Sequence, residues 1–216
     1  MEYVLHLSKD KKFKQLFAGG ATHSLKKKKH LCVYLCGSIM SQQLSTKVAA
    51  VIYDRFLALY DNKIPTAAQI EATPFETLRG IGLSNAKVNY IQNVAKFDIE
   101  HGINYTVLNK MDNEAIITYL TQIKGVGRWT VEMMLMFALC REDVFAVDDL
   151  GIQQAMVKLY KLNTDDKKAL KQDMLRISQK WSPYRTYACL HLWRWKDNTP
   201  DTAAKKPGTA KGKNAS

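Results

Sequence analysis

Apolar positions recur along this chain at helical spacing. Over residues 45–60, Val48, Val51, Ile52, Phe56, Leu57 and Tyr60 fall on one side. That is the stripe of a helix with one face against a core. Before it, Leu31, Val33, Tyr34, Leu35, Ile39 and Met40 form a thickly apolar run, with a break expected near Gly37-Ser38. Residues 129–139 are almost wholly apolar, with Val131, Met133, Met134, Leu135, Met136, Phe137 and Ala138. A helix apolar all round is a central one, and its methionines read as core filling. Shorter helical runs are expected over residues 1–20, closed by Gly19-Gly20, and over 66–72, ended by Pro74. Others follow over 85–97, capped by Ser84, and over 112–123, 150–161, 164–181 and 184–195, with 102–108 a connector. Strand alternation of period two is missing, so the pattern gives an all-α fold of about ten helices.

Two glycine turns punctuate the pattern. Ile123-Lys124 leads into Gly125-Val126-Gly127, and Arg128-Trp129 opens the apolar helix. Glycines two apart permit a sharp reversal and a close approach of the main chain to something outside. The free N–H groups at the start of the following helix suit a phosphate. Gly80-Ile81-Gly82 repeats the pattern in miniature, and there a bare helix–turn–helix corner is the safer reading. Ser38 to Ser45 is polar, uncharged and rich in hydrogen-bonding side chains; on composition alone Gln42 and Gln43 read as helix caps. Lys26 to Lys29 reads as a solvated helix start.

Composition narrows the partner. The chain has 216 residues, a net charge of +12 and 46% apolar residues, enough for a real core and suggestive of an anionic partner such as nucleic acid. Residues 199–216 hold four lysines and one aspartate, leaving +9 for the body. That stretch, mostly Pro, Gly, Ala, Thr and Lys, is expected to be a disordered basic tail after a domain spanning 1–198. Cys32, Cys36, Cys140 and Cys189 match no zinc or compact iron–sulfur spacing, and reduced thiols are expected. No run reaches membrane-spanning length and no secretory signal is seen. The expectation is an intracellular protein, in the nucleus or a bacterial cytoplasm.

The candidate chemistry lies at Asp148-Asp149, after the short apolar link Val144 to Val147. An aspartate before a helix is ordinarily an N-cap. A capping carboxylate is also held ionised by the helix dipole and the free N–H groups. Beside a sugar, such a group could stabilise an oxocarbenium-like transition state or activate water.

Residues 123–130 (IKGVGRWT) followed by 144–149 (VFAVDD) resemble the helix–hairpin–helix DNA glycosylases that carry a Gly/Pro-rich loop and an essential aspartate. Residues 39–45 are similar to that family's early DNA-facing turn, and 181–193 to the C-terminal aromatic helix of its alkylpurine, 3-methyladenine glycosylase II branch. The resemblance runs over roughly residues 30–195. It implies a bilobed helical fold with the hairpin at 120–139 and no N-terminal β domain. It implies Asp149 as the catalytic group, with Asp148 a neighbour. Val147 stands where many relatives have proline. Trp129 stands where strand-cutting relatives have a lysine, and tryptophan cannot form an imine. A monofunctional enzyme of base excision repair is therefore implied, releasing 3-methyladenine or 7-methylguanine by base flipping and attack of water.

Trp129 and Trp193 would line the base pocket, with Met133 and Leu150 where rings can occur in relatives. Gly125, Val126, Gly127, Arg128 and Thr130 would meet DNA from the hairpin, and Gln42, Gln43, Leu44 and Ser45 from the early turn, with Gln43 the first candidate to fill the gap left by a flipped base and Leu44 the second. No cofactor is implied, only a structural Na+ or K+ at the carbonyls of Thr121, Ile123 and Val126. The implied partner is damaged double-stranded DNA, met by a monomer. The rivals are a glycosylase for another lesion and a non-catalytic module that binds DNA structures.

Overall fold

Helix starts are written into this chain as capping side chains. A computed structural model describes residues 1–18, 20 and 22–198; the expected tail at 199–216 lies outside the described residues. Twelve α-helices occur among them, with no strand: α1 (Glu2–Leu7), α2 (Leu31–Ser41), α3 (Thr46–Ala58), α4 (Ala67–Ala72), α5 (Phe75–Gly80), α6 (Asn85–His101), α7 (Tyr105–Leu108), α8 (Asn113–Leu120), α9 (Arg128–Phe137), α10 (Leu150–Tyr160), α11 (Lys167–Ser178) and α12 (Arg185–Asn198). Two 3-10 turns, Phe13–Phe17 and Gln179–Trp181, complete the set. Ser45, Thr66, Ser84, Asn104, Asp112, Asp149 and Asp166 each accept a first-turn N–H with their side chains. Such a cap satisfies a donor that the helix itself leaves orphaned.

The elements sort into two groups. α2 packs against α3, α6 and α9; α4 and α5 pack on α6, and α8 on α9. In the second group α10 lies against α12, and α11 meets the Gln179–Trp181 turn. The N-terminal α1 and the Phe13–Phe17 turn join this second group. Tyr3 stacks on Tyr187 at 4.1 Å, and Tyr160 donates to Asp10 at 2.6 Å. The bilobed arrangement expected from the resemblance is thus made by α2–α9 in one lobe and both described ends of the chain in the other.

α9 is the central helix. Thr130 through Met136 are all buried. The buried Val144 to Val147 link then carries the chain across to α10.

Four local expectations change. Residues 1–20 do not form one helix but α1 and a 3-10 turn. The lysine run does not open a helix: residues 22–29 carry no helix, and α2 starts at Leu31. The segment lies along the end of α9, with the Lys28 N–H donating to the Ala138 carbonyl at 3.0 Å. α2 runs unbroken through Gly37, because the Tyr53 ring packs over that position, where a Cβ would come within 3.3 Å of it. The connector at 102–108 winds into α7 under an Asn104 cap. Cys32, Cys36, Cys140 and Cys189 are all free thiols.

Candidate active site

The hairpin is shaped by its glycines. Gly125 has φ +104°, and a Cβ there would fall within the Tyr90 ring on α6. Only glycine meets both conditions. The Lys124 carbonyl accepts from Asn93 Nδ2 at 3.2 Å, and the Val126 N–H donates to Ile123 at 3.0 Å. Gly127 then opens α9 with no side-chain cap and no atom within 4 Å of its Cβ position. α9 thus starts with no capping side chain, as do α1, α2 and α5, whereas seven other helices carry one. An anion is the natural partner of such an end. The Gly80–Gly82 turn differs. There Arg55 Nη1 donates to the Ile81 carbonyl at 3.3 Å, Arg79 donates to Leu83, and Ser84 caps the next helix. That turn is the bare corner the sequence favoured.

Asp149 sits at the N-cap of α10, half-buried. Its Oδ1 accepts the Ile152 N–H at 2.9 Å and the Trp193 indole N–H at 2.8 Å. Its Oδ2 accepts the Trp129 indole N–H at 2.9 Å. Three donors from α9, α10 and α12 therefore fix one carboxylate. Two are aromatic and belong to residues 20 and 44 positions away. Trp193 also stacks on Phe137, with ring centroids 5.9 Å apart. Its approach depends on Gly151, where a Cβ would lie 3.0 Å from the indole ring and 3.1 Å from Asp149 Oδ1. Asp148 turns away and takes Lys171 Nζ at 2.7 Å.

The other candidate residues divide. Trp129 is 43% exposed and Leu150 is 67% exposed, both beside the carboxylate in sequence or contact. Met133 is buried in the core face of α9. Gln43, Leu44 and Ser45 are exposed at the α2–α3 turn, and Gln43 has φ +59°. A non-glycine residue there costs about 1–3 kcal/mol and persists only where the surroundings impose it. Ser45 caps α3 with its side chain, as its Val48 contact at 3.4 Å shows. Gln42 turns inward to Thr130 Oγ1 at 3.4 Å, and Thr130 is itself buried. Lys87 Nζ donates to the carbonyls of Met40 at 2.8 Å and Gln42 at 2.7 Å. Burial moves the Lys87 ammonium below its usual range.

Arg128 is engaged from two sides: it donates to both Glu114 oxygens, at 2.5 and 2.9 Å, and to Glu132 at 3.0 Å. Burial raises the Glu132 carboxyl to about 6, against the pull of Arg128. Of these contacts only the Arg128–Glu132 spacing was readable in the sequence, as a pair four apart on one helix. Gly151 and Lys87 went unnoticed. The signal for Gly151 was a glycine one position inside a helix that needs none.

The carbonyls of Thr121 and Val126 accept no hydrogen bond among the described residues, and that of Ile123 accepts one. Each of these three oxygens keeps at least one free lone pair.

The model of the family described as HhH-GPD superfamily base excision DNA repair protein matches residues 36–180. DNA-3-methyladenine glycosylase 1 of Schizosaccharomyces pombe is 38% identical over 162 residues, 74% of this chain and 70% of that protein. The putative DNA-3-methyladenine glycosylase YfjP of Bacillus subtilis is 33% identical over 76% of this chain and 57% of its own length. The solved S. pombe 3-methyladenine DNA glycosylase Mag1, in complex with abasic DNA, is similar with a TM-score of 0.77 at 32% identity, over 91% of this chain and 97% of that one. A DNA-3-methyladenine glycosidase from Bacillus halodurans gives 0.79 at 33% identity, over 89% and 88%.

Proposed function

We propose, for a chain that belongs to the HhH-GPD superfamily of base excision DNA repair proteins, the reaction of a DNA glycosylase acting on alkylated purines of the 3-methyladenine and 7-methylguanine type. The observation that carries this is the Asp149 carboxylate, fixed by three donors beside an uncapped hairpin helix. The relatives, 3-methyladenine glycosylases by name, point to the same substrate class.

The reaction divides among named groups. The α9 amides after Gly127 take a DNA phosphate. The damaged nucleotide leaves the stack, at a cost of a few kcal/mol, and Gln43, or failing it Leu44, occupies the space. The base enters beside Trp129 and Trp193, with Leu150 flanking. Electron-poor or cationic alkylpurines gain from such rings, by about 1–2 kcal/mol when desolvated. As the bond from C1′ to the base nitrogen breaks, its electron pair leaves with the base. Asp149 stabilises the positive charge left on the sugar, and water adds at C1′ and loses a proton. The products are the free base and an abasic site.

No lysine stands at position 129 to form an imine, so the strand stays intact. No cofactor enters this scheme. A monovalent cation at the Thr121, Ile123 and Val126 carbonyls would hold the hairpin in shape and take no part in bond breaking. The enzyme acts as a monomer.

The test is base release from methylated duplex DNA by purified protein. Wild type should release 3-methyladenine or 7-methylguanine without strand cleavage before alkali. Asp149→Asn should abolish release, by at least a thousandfold or about 4 kcal/mol, while binding to abasic DNA persists. Wild-type release by that variant would remove Asp149 from the mechanism.

A further inference from the structure

We propose that Lys87 is a positioning residue: it holds the α2–α3 turn so that Gln43 is presented outward, ready to enter the duplex. The inference rests on the proposed base-flipping reaction. It starts from a lysine in an unexpected place. Lys87 lies in the first turn of α6, its own N–H held by the Ser84 cap at 3.3 Å. A cation there is at the unfavourable end of its own helix dipole. Its side chain, however, reaches the C-terminus of another helix. Nζ donates to Met40 O at 2.8 Å and Gln42 O at 2.7 Å, where α2 leaves carbonyls without helical partners. A cation is favoured at that end.

The turn is held at a second point. Gln42 points its side chain to Thr130 on α9 at 3.4 Å, while its carbonyl is taken by Lys87. Between this anchored residue and the Ser45 cap of α3, the chain must reverse. It does so at Gln43, with φ +59°, and the Leu44 N–H closes on Ser41 O at 3.2 Å. Gln42 is therefore tied inward, and Gln43 and Leu44 stand exposed. A left-handed glutamine is not a conformation the residue chooses alone. Lys87 is half-buried and two of its three protons are spent on carbonyls. Its task is then to hold this turn.

The test uses Lys87→Met, which keeps the stem and removes the donor, with Lys87→Arg as partial rescue and Gln43→Ala as the comparison. Each is assayed on a duplex with 7-methylguanine opposite cytosine and on the same lesion in a mismatched, already weakened pair. In a third arm, 2-aminopurine opposite a stable abasic analogue reports entry of the side chain, without any base release. Lys87→Met should slow release from the paired lesion about tenfold, change release from the mismatched one less than twofold, and lose the 2-aminopurine response, with Arg recovering part of each. In the Gln43→Ala background, Lys87→Met should add nothing, because both act through one side chain.

A folded Lys87→Met protein with wild-type ratios and a wild-type 2-aminopurine response would overturn the inference, as would equal slowing on both duplexes, which marks general loss of structure. If wild type releases no methylated base, the proposed reaction falls instead, and the 2-aminopurine arm still decides for Lys87.

Discussion

At the scale of the residue, the Asp149 carboxylate is held by contacts that no local pattern encodes. Asp149 as a helix cap was legible, because a cap needs only an aspartate before an apolar run. The resemblance singled out Trp129 and Trp193 as candidate pocket residues, and nothing in the sequence marked them as donors to that carboxylate. Their convergence depends on how α9 and α12 approach α10, and on the missing Cβ at Gly151. Trp193→Phe isolates the donor, since the ring remains to stack on Phe137 while the N–H is lost. A hydrogen bond to a charged group is worth about 1.5–3 kcal/mol, so kcat should fall at least tenfold with KM little changed. Gly151→Ala, which crowds the same indole, should act in the same direction. Single-turnover rates equal to wild type in Trp193→Phe would show that the N–H contributes nothing. Arg128, a candidate DNA contact by the resemblance, also holds Glu114 and Glu132. Glu114 is 14 positions upstream, beyond the reach of any periodic pattern.

At the scale of the element, the hairpin was the most readable part of the chain. Two glycines two apart, a polar neighbour and an apolar helix are all local signals. What the sequence could not distinguish was which of the two glycine turns is open. The answer is in the neighbours: Ser84 caps the helix after Gly82, whereas nothing caps the helix after Gly127. The two hairpin glycines should therefore respond differently to alanine. Gly125→Ala meets both a forbidden φ and the Tyr90 ring, and should cost about 2–4 kcal/mol of stability. Gly127→Ala has open space and an ordinary φ of −94°, and should cost no more than about 1 kcal/mol, while weakening binding to abasic DNA by crowding the amides. Denaturant midpoints and binding isotherms for the pair check this; equal midpoints would refute the steric account. The break expected at Gly37-Ser38 failed for a tertiary reason, since the Tyr53 ring covers a glycine that would otherwise weaken α2.

At the scale of the molecule, the helical count and the two-part division were legible, but the membership of the second lobe was not. Nothing in residues 1–17 says that they pack against residues 160–195. There His191, on α12, lies 1% exposed among Tyr3, Phe13, Phe17 and His23, with neither ring nitrogen hydrogen-bonded. Burial, then the nearby His23 and Arg194, lower its pKa to about 4. A histidine held neutral contributes stability that is present above its unfolded value, near 6.5, and is lost as pH falls through about 4. The melting temperature of the wild type should therefore drop between pH 6.5 and 4 by more than that of His191→Phe. Parallel curves for the two proteins would refute it.

The same packing bears on the order in which the chain folds. Tyr3 stacks on Tyr187, and Asp10 receives Tyr160 and Trp181. The Asp10 partners lie 150 and 171 positions further along the chain. α2–α9 can assemble while synthesis continues, but α1 must wait with Tyr3, Leu7 and Phe13 uncovered until α12 emerges. Contacts of such sequence separation form slowly, and exposed apolar surface during that interval invites aggregation. The lobe that carries Trp193 thus closes after α2–α9, and the Asp149 carboxylate gains its full set of donors only then.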